Sequence, residues 1–222
     1  GVAPATAQPV AGVSPVGAEE ATTGGGTSVA DTAVVADGGD AGDDGDHVTF
    51  GGKTVDRRTA NMLTEAQRLA NHEDPSIGKF NLTQGSFSHS VGASAGTHDG
   101  PGAFDMYTQG YSDSQKKIIG MALREVGFAS WLRRTSQGPW EEHWHGIAIG
   151  TKGLPSVAES QVKSYLAGGN GLRGNGRDTD PRPDQILTWE QYRQTHDLVG
   201  DSQTSDAAPV QPASQDADQF GI

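Results

Sequence analysis

The sequence predicts an α+β domain over residues 47–196, with a small and mostly antiparallel sheet flanked by helices. Several segments carry apolar residues at three- and four-residue spacing, which is typical of amphipathic helices. Shorter segments that alternate or are rich in β-branched and aromatic residues lie between them, as expected for strands. Residues 1–46 and 197–222 differ sharply from this middle part in composition and are predicted to be disordered acidic tails or linkers.

The first half of the domain is predicted to run strand, helix, strand, long loop and strand. The helix is predicted because Ala60, Leu63 and Ala66 fall on one face. The loop is predicted from its Ser, Gly, Thr and His content. These five segments are Val48–Phe50, Thr54–His72, Lys79–Thr83, Gly85–Gly102 and Ala103–Tyr107.

The second half is predicted to contain a helix, two strands, a helix, a loop rich in Gly, Asp and Pro, and a short last helix. Ile118, Ile119 and Leu123 form the apolar face of the first of these helices, and Gly127 is its expected stop. The segments are Ser114–Val126, Phe128–Arg133, His143–Ile149, Pro155–Leu166, Gly168–Pro183 and Thr188–His196.

The net charge of −12 is unevenly distributed along the chain. Residues 1–46 hold eight acids and residues 197–222 hold five, and neither tail has a Lys or Arg. Residues 47–196 hold 15 acids and 16 bases, with all seven histidines. The core is therefore nearly neutral and has no basic stripe, which argues against a nucleic-acid binder.

Other classes are disfavoured by composition. No apolar run reaches the roughly 18 residues of a membrane span. The chain has no cysteine, which excludes a disulfide scaffold and a thiolate metal site. No basic segment followed by an apolar one is visible at its start, so no signal peptide is predicted.

Two groups of residues suggest metal chemistry. His98 precedes Asp105 by seven residues, and Glu142 is followed by His143 and His145. Imidazole nitrogens and carboxylate oxygens suit Zn²⁺, and three protein ligands leave a position open for chemistry. On a strand, His143 and His145 would point to the same face. The spacing alone also fits a half-buried strand pair and a hydrogen-bonded loop pair without metal.

The segment from Thr97 to Asp105, followed by Glu142-His143-Trp144-His145, resembles the zinc peptidases of the D-Ala-D-Ala carboxypeptidase and VanX type. The hedgehog signalling domain and phage L-alanyl-D-glutamate endolysins share that fold. The His-to-Asp gap, the Ala two positions before the Asp and the E-x-x-H pattern match. Over residues 48–196 the resemblance is looser, and Val48–Leu69 and the loop Gly168–Pro183 resemble actinobacterial and actinobacteriophage members of the group.

The resemblance implies that His98, Asp105 and His145 bind Zn²⁺. It implies that Glu142 is the general base and that His143 stabilises the oxyanion in hydrolysis of an amide bond. Strict strand alternation instead puts Glu141 on the face of the two histidines, and a loop or bulge before His143 would be needed to bring Glu142 there.

The motif departs from the family pattern at three positions. Gly96 stands where a Ser is usual, and Pro101 stands where a Gly is usual. Carboxypeptidases of this group also place an Arg before the His ligand to bind a free carboxylate, but no Lys or Arg lies between Phe80 and Asp105.

Neutral hydrogen-bond donors in this segment favour binding of an internal peptide bond over a free C-terminal carboxylate. An endopeptidase is therefore predicted in preference to a DD-carboxypeptidase, unless Arg57 or Arg58 folds back into the site. The predicted substrate-binding residues are Gln84, Ser86, Ser88, His89 and Trp144.

The expected function is therefore a zinc peptidase that cuts peptidoglycan stem peptides, either in a cell wall or as part of a phage lysin, tail or injection machine. Its location would be extracellular or on a virion, and the acidic tails would dock it to such an assembly. The alternative is a structural or wall-binding module that retains the fold without activity.

Overall fold

A computed structural model describes residues 46–89, 95–174 and 176–198. The predicted tails, apart from residues 46, 197 and 198, lie outside the described residues, so their disorder and docking role stay predictions. Part of the predicted loop over residues 85–102 also lies outside them.

The centre of the described fold is a four-stranded antiparallel sheet. Its strands are β3 (Leu82–Gln84), β4 (Ala103–Tyr107), β5 (Phe128–Arg133) and β6 (His143–Ala148), in the order β3-β4-β6-β5. A separate hairpin is formed by β1 (His47–Phe50) and β2 (Lys53–Asp56). The α+β class predicted from the sequence is confirmed.

Helices cover both faces of the sheet. They are α1 (Arg57–Glu73), α2 (Asp113–Glu125), α3 (Ser156–Leu166) and α4 (Trp189–Thr195). One face packs Phe104, Leu132 and Trp144 against α1, α2 and α4. The other face packs Ala129 and Ile147 against α3. Burial of these two apolar surfaces fixes which side of each strand points to which helix layer.

The predicted bounds of β4 and β5 match the structure, and most other elements begin or end within one residue of the prediction. One of the two largest differences is at residues 54–56, which belong to strand β2 rather than to the first helix. The helix begins after Asp56 because its carboxylate caps it, accepting a hydrogen bond from Thr59 N at 2.8 Å. The third strand also begins later than predicted, at Leu82.

Asp56 connects the N-terminal hairpin to the loops that lead into the central sheet. Its carboxylate is fully buried and accepts from Gly102 N at 2.7 Å and from Ser86 Oγ at 3.4 Å. Since Gly102 directly precedes β4, this carboxylate fixes the entry into the strand that carries Asp105.

Arg124 performs the same task for the loop over residues 168–183. It is 1% exposed and donates to the carbonyls of Asp180 and Pro181 and to the carboxylate of Asp178, at 2.9 Å. It also donates to Ser130 O on β5 at 2.7 Å. The loop is therefore attached to α2 and β5 through hydrogen bonds to its backbone and a buried ion pair with Asp178, rather than through an apolar core.

None of the helices in the described part of the chain is both long and apolar enough to cross a lipid bilayer.

We expect Asp56→Ala to lower the free energy of unfolding by about 3 kcal/mol, because it leaves buried N–H groups of Thr59 and Gly102 without an acceptor. Urea unfolding of the full chain measures this. Asp46→Ala is the matched control: Asp46 pairs with Arg57 at the surface, so its loss should cost less than about 0.5 kcal/mol. Equal effects of the two variants would contradict the role given to Asp56.

Candidate metal centre

The register of the sheet brings Asp105 and His145 together. Asp105 on β4 lies opposite His145 on β6, which lies opposite Trp131 on β5, so these side chains share a face. Gln84 on β3 extends the same row, since it pairs with Asp105. The carboxylate oxygen Oδ1 of Asp105 is 2.7 Å from Nδ1 of His145.

His98 reaches this row from the turn that precedes β4. Its imidazole is buried, and its Nε2 is 3.4 Å from Oδ1 of Asp105. One ligand atom from each of His98, Asp105 and His145 lies within 4.8 Å of the other two, so the group could hold a metal ion. The three residues are those that the sequence predicted as ligands.

Each histidine is held by a hydrogen bond from its other ring nitrogen. Nδ1 of His98 donates to Gly85 O at 2.9 Å, and Nε2 of His145 donates to Oε1 of Gln161 at 2.8 Å. Gln161 on α3 is itself oriented, because its Nε2 donates to Thr97 Oγ1 at 3.1 Å. These bonds leave the lone pairs of His98 Nε2 and His145 Nδ1 facing Asp105, as metal-binding histidines require.

Gly85 is required for this arrangement by close approach of two chain segments. A β-carbon at this position would overlap the carbonyl oxygen of Thr54 on β2. Any side chain here would therefore displace the carbonyl that orients His98.

The electrostatics favour the protonation states that a metal needs. Burial raises the pKa of Asp105, but the adjacent imidazoles of His145 and His98 outweigh burial and hold that pKa well below its usual value. Burial lowers the pKa of His145, against the opposing effect of Asp105. A carboxylate and neutral imidazoles are the forms that coordinate a cation. With both outer N–H groups donated elsewhere, the inner nitrogens and the Asp105 carboxylate present lone pairs to one another, an arrangement that a bound cation would stabilise.

The cluster opens into a cleft of about 260 Å³. His143 lies at its edge, with Nε2 at 3.9 Å from Oδ1 of Asp105 and Nδ1 at 2.7 Å from Glu141 O. The remaining walls come from Gln84, Thr97, Arg133, Trp140, Gln161 and Leu172. His143 is thus beside the group without belonging to it, as the sequence analysis expected.

Glu142 and Trp144 lie on the opposite face of the sheet, which corrects their predicted roles. Glu142 Oε1 is 2.6 Å from Nζ of Lys116 on α2, and both line a separate pocket with Trp144. Trp144 is 3% exposed and packs in the core against Gly120. The reason is strand alternation: β6 starts at His143 without a bulge, so even-numbered residues point to α2.

Three predicted substrate-binding residues also do not line the cleft. Ser86 is buried and donates to Ala103 O at 2.9 Å, which makes it a structural residue. Ser88 uses its backbone N–H to hold His98 O at 2.7 Å. His89 is exposed, with Nδ1 at 3.7 Å from a carboxylate oxygen of Asp99. Gln84 is the member of the predicted set that lines the cleft.

Neither arginine considered as a carboxylate ligand reaches the cleft. Arg57 pairs with Asp46 at the surface, at 3.1 Å. Arg58 is buried and forms two hydrogen bonds with the carboxylate of Glu190 on α4, at 2.8 and 3.0 Å. It therefore fixes the last helix to the core.

Arg133, Gln161 and Thr97 are site residues that the sequence analysis missed. Alternation along β5 could have placed Arg133 on the face of Trp131, had the pairing with β6 been known. No local pattern marks Gln161, because its importance depends on how α3 crosses the sheet.

The sequence matches no protein-family model. It shows no significant similarity to a curated protein, and its fold shows none to a solved structure. The resemblance to zinc peptidases therefore depends on the motif residues alone.

We expect Gln161→Ala to weaken metal binding by roughly 10- to 100-fold, because His145 loses the acceptor that orients its ring. Competition titration with a chromophoric chelator measures the affinity. Ser160→Ala, a change at the neighbouring exposed position of α3, should leave the affinity unchanged. A Gln161→Ala variant with undiminished affinity would show that this hydrogen bond does not orient a ligand.

Proposed function

We propose that the protein is a zinc-dependent hydrolase of peptide amide bonds and that its substrates are peptidoglycan stem peptides. The observation that carries the proposal is the convergence of His98 Nε2, Asp105 Oδ1 and His145 Nδ1 at the floor of an open cleft. The motif resemblance supports the substrate class and a setting at a cell wall or on a phage particle.

The donor set fits zinc. Two ligands bound tetrahedrally at about 2.1 Å lie about 3.4 Å apart, and His98 Nε2 is 3.4 Å from Asp105 Oδ1. Nδ1 of His145 is closer to that oxygen, at 2.7 Å, so binding would have to widen this pair. Two imidazoles and one carboxylate are the ligand set of a catalytic rather than a structural zinc site. The second ring nitrogen of each imidazole is hydrogen-bonded, which orients the ring.

When bound, zinc would act as a Lewis acid on water and on the amide carbonyl. His143 is the side chain best suited to accept a proton. Its Nδ1–H donates to Glu141 O, so Nε2 carries the lone pair and faces the cleft. After protonation the same nitrogen can donate to the developing oxyanion and then pass its proton to the leaving amine, so one residue serves as base, stabiliser and acid.

Trp140 and Leu172 give the cleft two apolar walls against which a peptide can pack. Trp140 is anchored by its indole N–H, which donates to Arg134 O at 3.2 Å. An anchored aromatic ring beside the reacting groups limits the orientations open to a bound peptide.

The alternative is a wall-binding module that holds metal without turnover. One observation favours it: the Glu142 carboxylate is engaged by Lys116 on the far face, and no Glu side chain lines the cleft among the described residues. The two functions differ in turnover and not in metal content.

We expect the purified full chain to bind about one zinc and to release new fragments from purified muropeptides, detected by mass spectrometry. Chelation should abolish release, and zinc should restore it. Zinc binding without any cleavage would favour the wall-binding module, and absence of bound metal would overturn both.

We expect His143→Ala to keep zinc and to lower kcat by roughly 100-fold or more, since it removes the proton acceptor. Glu142→Gln should change kcat by less than about 3-fold, because its carboxylate lies on the other face of the sheet. The reverse pattern, with loss on Glu142→Gln and retention on His143→Ala, would restore the assignment implied by the motif.

A further inference from the structure

Arg133 is a buried cation beside the candidate metal centre, and the motif gives it no role. It is 4% exposed, lines the cleft, and lies opposite His143 in the register of β5 and β6. Asp105, His145 and Trp131 form one row across the sheet. The next row on the same face contains Tyr107, His143 and Arg133.

The guanidinium is held in place without being neutralised. It lies over the ring of Trp131, at 4.7 Å from the ring centroid, and its Nη1 donates to Asn170 O at 2.6 Å. Within the described residues its hydrogen bonds end there, although a guanidinium offers five N–H donors in a planar fork.

The charge of Arg133 persists at neutral pH. Burial lowers its pKa to about 10, while the carboxylates of Asp105 and Asp178 act in the opposite direction. Burying a cation without a direct partner is costly, so its retention points to a ligand that supplies the missing charge.

The charge balance of the cleft identifies that ligand. Among the described residues that line the cleft, Asp105 is the acid and Arg133 is the formal cation. A divalent metal at the cluster would bring their sum to +2. An anionic ligand is therefore favoured, and a planar carboxylate matches the fork of an arginine in two parallel hydrogen bonds.

We propose that Arg133 binds a free carboxylate of the substrate and so selects peptides that carry one next to the amide bond to be cut. This inference rests on the proposed peptidase function. It differs from the sequence-based preference for an endopeptidase, which assumed that only neutral donors bind the substrate. The cation that binds the carboxylate comes from β5 and not from the segment before His98. Arg133 acts as a specificity residue, and its loss should raise KM more than it lowers kcat.

The experiment uses a lysine-containing stem peptide with a γ-linked glutamate in three forms: both carboxylates free, the C-terminal carboxylate amidated, or the glutamate carboxylate amidated. Binding to the zinc-loaded full chain is measured by calorimetry, and cleavage is measured by mass spectrometry. Wild type should bind one amidated form roughly 10- to 100-fold more weakly than the free peptide. The form that loses affinity identifies which carboxylate meets Arg133.

Arg133→Gln should bind all three peptides with equal, weak affinity. Arg134→Gln is the matched control, because Arg134 is the next residue and pairs with Asp180 on the opposite face. It should discriminate as wild type does. Zinc content and thermal unfolding establish that each variant folds. If Arg133→Gln does not fold, Arg133→Lys, which keeps a charge but not the fork, should show reduced discrimination.

Equal binding of the three peptides by wild type would overturn the inference, and so would discrimination that survives Arg133→Gln. Binding that depends on the carboxylate and on Arg133 but leads to no cleavage would instead overturn the peptidase function and leave the role of Arg133 standing.

Discussion

Side-chain alternation along β6 is the constraint on which the site depends. This strand is paired on both sides, so a shift by one residue would exchange every side chain between the two faces. Trp144 fills the core beneath α2, and this burial fixes the register. Once it is fixed, His143 and His145 face the cleft, and the carboxylate of Glu142, the residue before the strand, lies on the side of α2.

Much of the fold follows from local sequence pattern. The strands β4 and β5 and the limits of α2 are predictable because apolar periodicity and glycine stops agree there. The three candidate ligands are predictable from the resemblance of the motif to zinc peptidases, since their spacing alone also fits residue pairs without metal. Thr54–Asp56 was wrong as helix because a capping carboxylate, rather than periodicity, decides where α1 begins.

The rest of the site depends on contacts between distant segments. Arg133 becomes part of the cleft only through the pairing of β5 with β6, and Gln161 only through the position of α3. Trp144 packs in the core and not against substrate, because strand alternation places it on the face of α2. Residues that orient others leave no pattern in a single sequence, since their partners lie far along the chain.

The attachment of the loop over residues 168–183 has a consequence for which positions tolerate substitution. The candidate ligands belong to the sheet and to the turn before it, whereas Leu172 reaches the cleft from a loop that Arg124 fastens through two backbone carbonyls and the carboxylate of Asp178. A backbone carbonyl can accept the same hydrogen bond whatever side chain its residue carries. Side chains that line this wall, such as Leu172, can therefore be replaced without moving the candidate metal centre.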